Sequence, residues 1–312
     1  MKVQPRPYCD SSDLGKMLSI LIEGRKANSG AYYVHAGDLS WWLFYHDLEE
    51  PLWEKIVLWE DDDGGTPGWV LFTPDEGYFD LFVQPLLLGT SQARQMHDWA
   101  EEEITKKVKA RGGKTIRAMW IFETDTARRG LLEERGFSLA GSESHLGRMI
   151  CFTRSLAEPI ARSMLPDGFV VRSTAGEREV EARAAAQYGA FQSQWQWDRY
   201  VTRFRRFMQS PVYSPARDVA AVDSDGRFAA FCIFWLDPVN KVGLFEPVGT
   251  HPDFQKKGLG RAVMLEGLRR MKADGMETVN VCAEADNEVA VKLYESIGFR
   301  AANKLCMYVR SV

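Results

Sequence analysis

Two stretches of this sequence end alike: Leu131-Leu132-Glu133-Glu134-Arg135-Gly136-Phe137 and Leu293-Tyr294-Glu295-Ser296-Ile297-Gly298-Phe299 both run Leu-x-Glu-x-x-Gly-Phe. Each lies downstream of a strand-like run that meets a proline, Pro85 in one half and Pro252 in the other, and these prolines stand about one domain length apart. A chain so organised is expected to fold twice into one pattern. Its 312 residues suffice for two ordinary domains, and 45% hydrophobic with 26% charged residues is the composition of a folded protein. The expected domains are residues 1–158 and 166–312, because Pro159, Pro166 and the Pro166-Asp167-Gly168 turn interrupt periodicity between them.

In the second half, 169–172 reads as a strand and 177–191 and 198–208 as helices. Strands at 217–222, 228–236 and 242–250 follow, separated by the turns Asp223-Ser224-Asp225-Gly226 and Asp237-Pro238-Val239-Asn240. A helix over 260–272 carries Met264, Leu268 and Met271 on one stripe, and a strand at 279–282 and a helix at 288–297 complete the order. The first half repeats it, with helices at 14–26, 93–109 and 126–135 and strands near 53–59, 68–72 and 78–83. Each half is expected to close with its own strand, 145–154 and 304–310. The fold class is α/β with a mixed sheet.

A formal net charge of -4 gives no global attraction to nucleic acid or acidic membranes. The arginines 203, 205 and 206 fit an ordinary amphipathic helix, so no nucleic-acid partner is expected. No apolar run has signal-peptide or membrane-spanning length, which predicts a cytoplasmic protein with no membrane partner. Five scattered cysteines without a Cys-x-x-Cys pair predict neither disulfides nor structural zinc. His35 and His46 flank Asp38 in an odd stretch, but their spacing fits no ligand set; a helix capped by Asp38 or Ser40 and burying Trp42, Leu43 and Tyr45 is expected instead, with no metal.

The loop Gln255-Lys256-Lys257-Gly258-Leu259-Gly260 follows a strand and opens a helix. The first N–H groups of a helix lack internal partners and sit at the positive end of its dipole, and glycines let backbone approach a diphosphate. Lys256, Lys257 and Arg261 add local charge. The loop lacks the Gly-Lys-Ser/Thr of a Walker motif, and Val263 stands where a dinucleotide fingerprint needs its third glycine.

The run from Val248-Gly249-Thr250-His251-Pro252 through Gly260, followed by Asn287-Glu288-Val289-Ala290 and then 293–299, resembles the GNAT superfamily of acyltransferases. The resemblance covers the second half closely and the first in outline, and it implies tandem GNAT-like domains of which the second is catalytic. It implies acetyl-coenzyme A as co-substrate. The pantetheine arm would bond backbone at about Val248, Gly249 and Thr250, the diphosphate would rest on Lys257 to Arg261 with Gln255 and Lys256 also on the coenzyme, and Asn287 would contact it. Tyr294 would protonate the departing thiolate; a phenol near pKa 10 carries the proton this needs at pH 7. Its alternative is a helix tyrosine packed on the sheet.

An alkyl amine is free at pH 7 in only about one molecule in two thousand, so an amine acceptor needs a proton sink. Glu246 is the candidate base, or else a solvating residue at a sheet edge. His251 is expected to be structural. The family's acceptor docks on the segment that here runs Phe191-Gln192-Ser193-Gln194-Trp195-Gln196-Trp197-Asp198. Phe191, Trp195 and Trp197 could hold an amine's body with Asp198 on its charge, or the rings could form the contact between lobes. The expected reaction is direct acetyl transfer to a primary amine of a small molecule; a protein amine acceptor, or a non-catalytic acyl-coenzyme A sensor, are the alternatives. In the first half the loop reads Leu86-Leu87-Leu88-Gly89-Thr90-Ser91, Leu132 replaces the tyrosine and Asp125 stands for Asn287, so that copy is expected to keep the fold without the chemistry.

Overall fold

A computed structural model describes residues 2–27, 33–46, 51–141 and 149–312. In chain order the first half supplies β1 (Val3–Pro7), α1 (Ser11–Ala27), α2 (Ala36–Trp41), α3 (Leu52–Lys55), β2 (Ile56–Asp61), β3 (Gly68–Thr73) and β4 (Tyr78–Val83). It continues with α4 (Ser91–Ala110), β5 (Thr115–Phe122), α5 (Thr126–Glu134), β6 (Ser138–Leu139) and β7 (Met149–Ser155). The second half adds β8 (Phe169–Ser173), α6 (Val180–Ala190), α7 (Trp197–Met208), β9 (Asp218–Asp223), β10 (Phe228–Asp237) and β11 (Val242–Thr250). It ends with α8 (Leu259–Ala273), β12 (Thr278–Glu284), α9 (Glu288–Ser296) and β13 (Arg300–Ser311). No described helix is long and apolar enough to cross a membrane.

The described strands form one mixed sheet in the order β1-β2-β3-β4-β5-β13-β7-β12-β11-β10-β9-β8, with β6 beside β13. This corrects the expectation that each half closes with its own strand. β7 leaves the first half and pairs along its whole length with β12, from Thr278 opposite Ser155 to Glu284 opposite Met149. The strand β13 pairs first with β7 and then, from Leu305 onward, with β5 of the first half. The copies offer equivalent open edges, so strand patterning alone does not say which edge a closing strand takes. The expected beginning of that first strand, at His145, lies outside the described residues.

The exchange gives each lobe a core that includes a residue from the other half of the sequence. Tyr308 is buried with Phe72, Phe79, Met96 and Ile104 in the first lobe, and Phe152 with Phe245, Met264, Leu268 and Phe299 in the second. A further cluster joins the lobes: Trp41 and Tyr45 pack on Tyr200, Phe204, Phe207 and Trp235. Within it the Tyr45 hydroxyl donates to Tyr200 Oη at 2.9 Å, and the Arg203 guanidinium lies 4.2 Å from the Tyr45 ring and 4.0 Å from Trp195. Part of the aromatic segment thus makes the lobe contact.

Three local departures have simple causes. β1 was hidden by Pro5 and Pro7, which a strand tolerates only at the sheet edge it occupies. The expected strand near Trp53 begins at Ile56, because 52–55 form a helical turn. The cap of α2 is His35 rather than Asp38 or Ser40. His35 Nδ1 accepts from Gly37 N at 2.8 Å while Asp38 Oδ2 accepts from His35 N at 2.7 Å, a reciprocal box with histidine in the usual serine role.

Candidate active site

The strands β11 and β12 begin as parallel neighbours, pairing Val242–Phe245 with Thr278–Val281, and pair no further although both continue. Beyond Phe245 they diverge. On its other side β11 remains tied to β10, with Cys232 opposite Val248 and Ala230 opposite Thr250. Glu246 and Pro247 stand where that register shifts, so a bulge with a cis Glu246–Pro247 peptide turns the strand at the mouth of the split. Trp235 Nε1 donates to the Glu246 carbonyl at 2.7 Å and holds the bulge. A cavity of about 280 Å³ occupies the split, and Glu246, Val248, Cys282, Asn287 and Tyr294 are among its lining residues.

The loop beyond β11 is open to solvent at Gln255, Lys256, Lys257 and Gly258. Lys256 (φ +62°) and Gly258 (φ +75°) are left-handed, which turns the chain sharply into the first turn of α8 at Leu259, Gly260 and Arg261. A Cβ at position 260 would stand 2.8 Å from Thr250 Oγ1, so glycine lets the helix start close against the strand end. Lys257 Nζ lies 5.2 Å from the Phe254 ring. Gly249 packs likewise, a Cβ there falling 2.4 Å from Phe231. His251 Nδ1 accepts from Asp253 N at 3.3 Å, a turn-capping role.

Glu246 does not stand alone. Its carboxyl group shares a cavity with Asp38 of the first lobe and a second one with Trp42, and it interacts with both side chains. Burial and the neighbouring Asp38 carboxyl push Glu246 well above the usual carboxylate range, and burial raises Asp38 as well. Tyr294 is buried on α9, its ring 5.8 Å from that of Phe152 on the exchanged strand β7. Burial pushes its phenol up, so it carries its proton across the neutral range. Asn287 Oδ1 accepts from Ala290 N at 3.1 Å and caps α9 at the cavity's rim. Cys282 and Cys151 face one another across β12 and β7, and their thiol contact raises Cys282.

Residues 182–299 match the acetyltransferase (GNAT) family. The second half of the chain carries this family's pattern. It is 30% identical to mycothiol acetyltransferase of Streptomyces avermitilis over 63% of this chain and 62% of that protein, and thus spans about three fifths of that relative's length. Against the mycothiol acetyltransferase of Kineococcus radiotolerans the identity is 27% over 77% of each chain. Among solved structures, a tandem GNAT protein from the clavulanic acid biosynthesis pathway superposes with a TM-score of 0.70 at 14% identity, covering 99% of this chain and 98% of that one. A GCN5-related N-acetyltransferase from Sphaerobacter thermophilus gives 0.61 at 17% identity, covering 99% and 95%. These likenesses show a tandem GNAT fold along the whole chain.

The first GNAT copy has the same split filled from within. β4 pairs with β5 only at Tyr78 and Phe79, so Asp80 holds the ladder position that Glu246 holds in the second copy. Arg128 of α5 enters the gap. Its guanidinium donates to the carbonyls of Leu81 at 3.0 Å, Trp120 at 3.2 Å and Met119 at 3.4 Å, lies 3.4 Å from Asp80 Oδ1 and stacks 4.9 Å from the Tyr33 ring. The backbone groups that an entering chain would bond are already bonded. Burial lifts Asp80 to about 6 despite Arg128 and the Tyr33 hydroxyl.

Two further cavities also reach Glu246. One, of about 380 Å³, is lined by Trp41, Tyr45, Phe191, Tyr200 and Arg203. The other, of about 520 Å³, lies against the first lobe between Trp42, Leu52, Leu71, Tyr78 and Trp120. There the Trp42 and Trp120 rings stack at 4.5 Å. Of the residues expected to hold the acceptor, Phe191 lines the cavity at the β11–β12 split and the smaller of these two. Trp195 is half-buried under Arg203 and Arg199, Trp197 and Asp198 are exposed on α7, and none of the three lines a cavity at Glu246. Asp38, Trp42 and Arg128 are the site residues that sequence reasoning missed. The sole signal for the first two was the unusual stretch from His35 to His46.

Proposed function

We propose that the chain is a cytoplasmic N-acetyltransferase that moves an acetyl group from acetyl-coenzyme A to a primary amine of a small molecule by direct attack in a ternary complex. The observation that carries this reading is the meeting of Glu246 and Tyr294 in one cavity at the split between β11 and β12. A half-buried carboxyl with raised proton affinity and a buried, protonated phenol are the base and acid that aminolysis of a thioester requires. The split leaves backbone of Val248, Gly249 and Thr250 for a pantetheine arm, and the turn at Gln255 to Gly258 leaves room for a diphosphate beside Lys256, Lys257, Arg261 and the first N–H groups of α8. Asn287 borders the same cavity.

Glu246, directly or through water, takes a proton from the acceptor's ammonium, which frees the amine lone pair to attack the thioester carbonyl. Backbone N–H groups of the diverging strand steady the oxyanion, and Tyr294 hands its proton to the thiolate as the tetrahedral intermediate collapses. The acceptor enters past Phe191 and the Trp42–Trp120 stack, with the Trp195, Trp197 and Asp198 edge of α7 outside the entrance. Five scattered cysteines without a Cys-x-x-Cys pair accord with a reducing compartment. The mycothiol acetyltransferase relatives accord with a small acceptor. Incubation with acetyl-coenzyme A and a panel of small amines, followed by mass spectrometry, should yield an acetylated amine. Tight coenzyme binding without any acetylated product across the panel would favour a sensor and overturn the proposal.

A further inference from the structure

We propose that Asp38, carried by the first lobe, is a positioning residue for the reaction of the second: its carboxyl shares one proton with Glu246, so the base is a carboxyl pair spanning the lobe boundary. This rests on Glu246 being the base. Two half-buried carboxyl groups that border one cavity and interact with each other do not ionise independently, so between its two titration steps the pair holds one proton and acts as a monoanion.

The pair is built to stay together. Asp38 Oδ2 accepts from His35 N at 2.7 Å, and His35 Nε2 lies 3.1 Å from the carbonyl of Val242, the first residue of the strand that carries Glu246. With Nδ1 accepting from Gly37 N, Nε2 must bear the proton and donate to that carbonyl, which makes His35 a neutral clamp between the lobes. Burial and Arg25 lower its pKa to about 3, so it brings no charge to the pair near neutrality. Gly37 closes the clamp: a Cβ there would lie 2.3 Å from Trp235 Cγ, and Trp235 holds the Glu246 carbonyl. Helix α2 is thereby fixed on β10 and β11 at both carboxyl partners.

Other titratable groups facing the pair leave its charge in place. Arg25 of α1 favours ionised Asp38, and the Trp42 side chain favours ionised Glu246. Tyr294 on α9 and Cys282 on β12 are both raised and neutral at pH 7. Arg203 of α7 and Asp80 of β4 line the outer cavities.

The test is a ¹³C NMR titration of the full chain labelled at aspartate and glutamate carboxyls, with Glu246→Gln and Asp38→Asn assigning the signals. In the wild type both signals should follow the same two-step curve, with one midpoint above the ordinary carboxyl range. In Asp38→Asn the Glu246 curve should become a single step with its midpoint about one pH unit or more below the upper wild-type midpoint, and the acid limb of kcat/KM for amine acetylation, which in the wild type follows the lower step, should move up toward it. A purely structural Asp38 would scale the rate without moving the limb. Independent single-step curves in the wild type, or an unmoved Glu246 midpoint in the variant, would overturn the proposal. The wild-type curve decides the matter should Asp38→Asn fail to fold. A two-step curve in a protein that acetylates no amine would preserve the pair while refuting the enzymatic reading.

Discussion

Arg128→Ala should cost the protein more than any surface substitution, for reasons countable in the structure. The guanidinium serves three carbonyls, of Leu81, Met119 and Trp120, and faces Asp80, which is 2% exposed. Removing one member of a buried ion pair costs about 3–5 kcal/mol, because the remaining charge and the orphaned carbonyls stay in the interior. Asp80 limits that cost by taking up a proton, which places the expected loss near the lower end, about 3 kcal/mol at pH 7.5. Adding Asp80→Asn removes the stranded charge and should return about 1 kcal/mol or more, a coupling that separate surface sites would not show. Urea denaturation of the four proteins of this cycle measures both values. A loss below about 1 kcal/mol for Arg128→Ala, or strict additivity with Asp80→Asn, would refute the account of Arg128 as an internal plug.

Asp80 also makes a pH prediction. Its folded pKa of about 6 exceeds the ordinary 3.8, so the folded state binds the extra proton and the group costs stability as pH rises. The cost is absent below 3.8, grows between 3.8 and about 6 and levels off above, near 3 kcal/mol; urea midpoints of Asp80→Asn should fall less steeply across that window than wild type, and equal slopes would contradict it. Gly249→Ala forces a methyl to within 2.4 Å of the fully buried Phe231 and 3.0 Å of Ala190 Cβ. Overpacking of this kind costs about 1–3 kcal/mol, and displacement of the strand edge should weaken acetyl-coenzyme A binding at least tenfold by calorimetric titration; unchanged affinity would detach Gly249 from the coenzyme groove.

Much of the second lobe was legible because its signals are local. The residues 242–250 read as a strand that runs into His251-Pro252, Asn287 is followed by a helix pattern, and the glycines at 258 and 260 mark a loop entering a helix. The first lobe was legible only through its likeness to the second. The strand exchange was not, since β7 and β13 read as strands in either partnership and the repeat makes the two edges alike. Asp38 was noticed as a cap because its neighbours are His35, Ser40 and Trp42; nothing near it in sequence points to Glu246, some two hundred residues away. Arg128 occupies an unremarked helix position, and its meaning comes entirely from the gap it fills. Contacts made across lobes leave no periodicity, so the parts of the site that depend on the first lobe waited on coordinates.

In the proposed acetyl transfer Tyr294 is the acid, and free-thiol release reads that step directly. With acetyl-coenzyme A saturating and an accepted amine present, wild type should release coenzyme A thiol steadily. Tyr294→Phe should bind acetyl-coenzyme A as tightly, since the ring and its packing on Phe152 remain, yet release thiol about tenfold to a hundredfold more slowly. A Tyr294→Phe protein that releases thiol at the wild-type rate would contradict the claim.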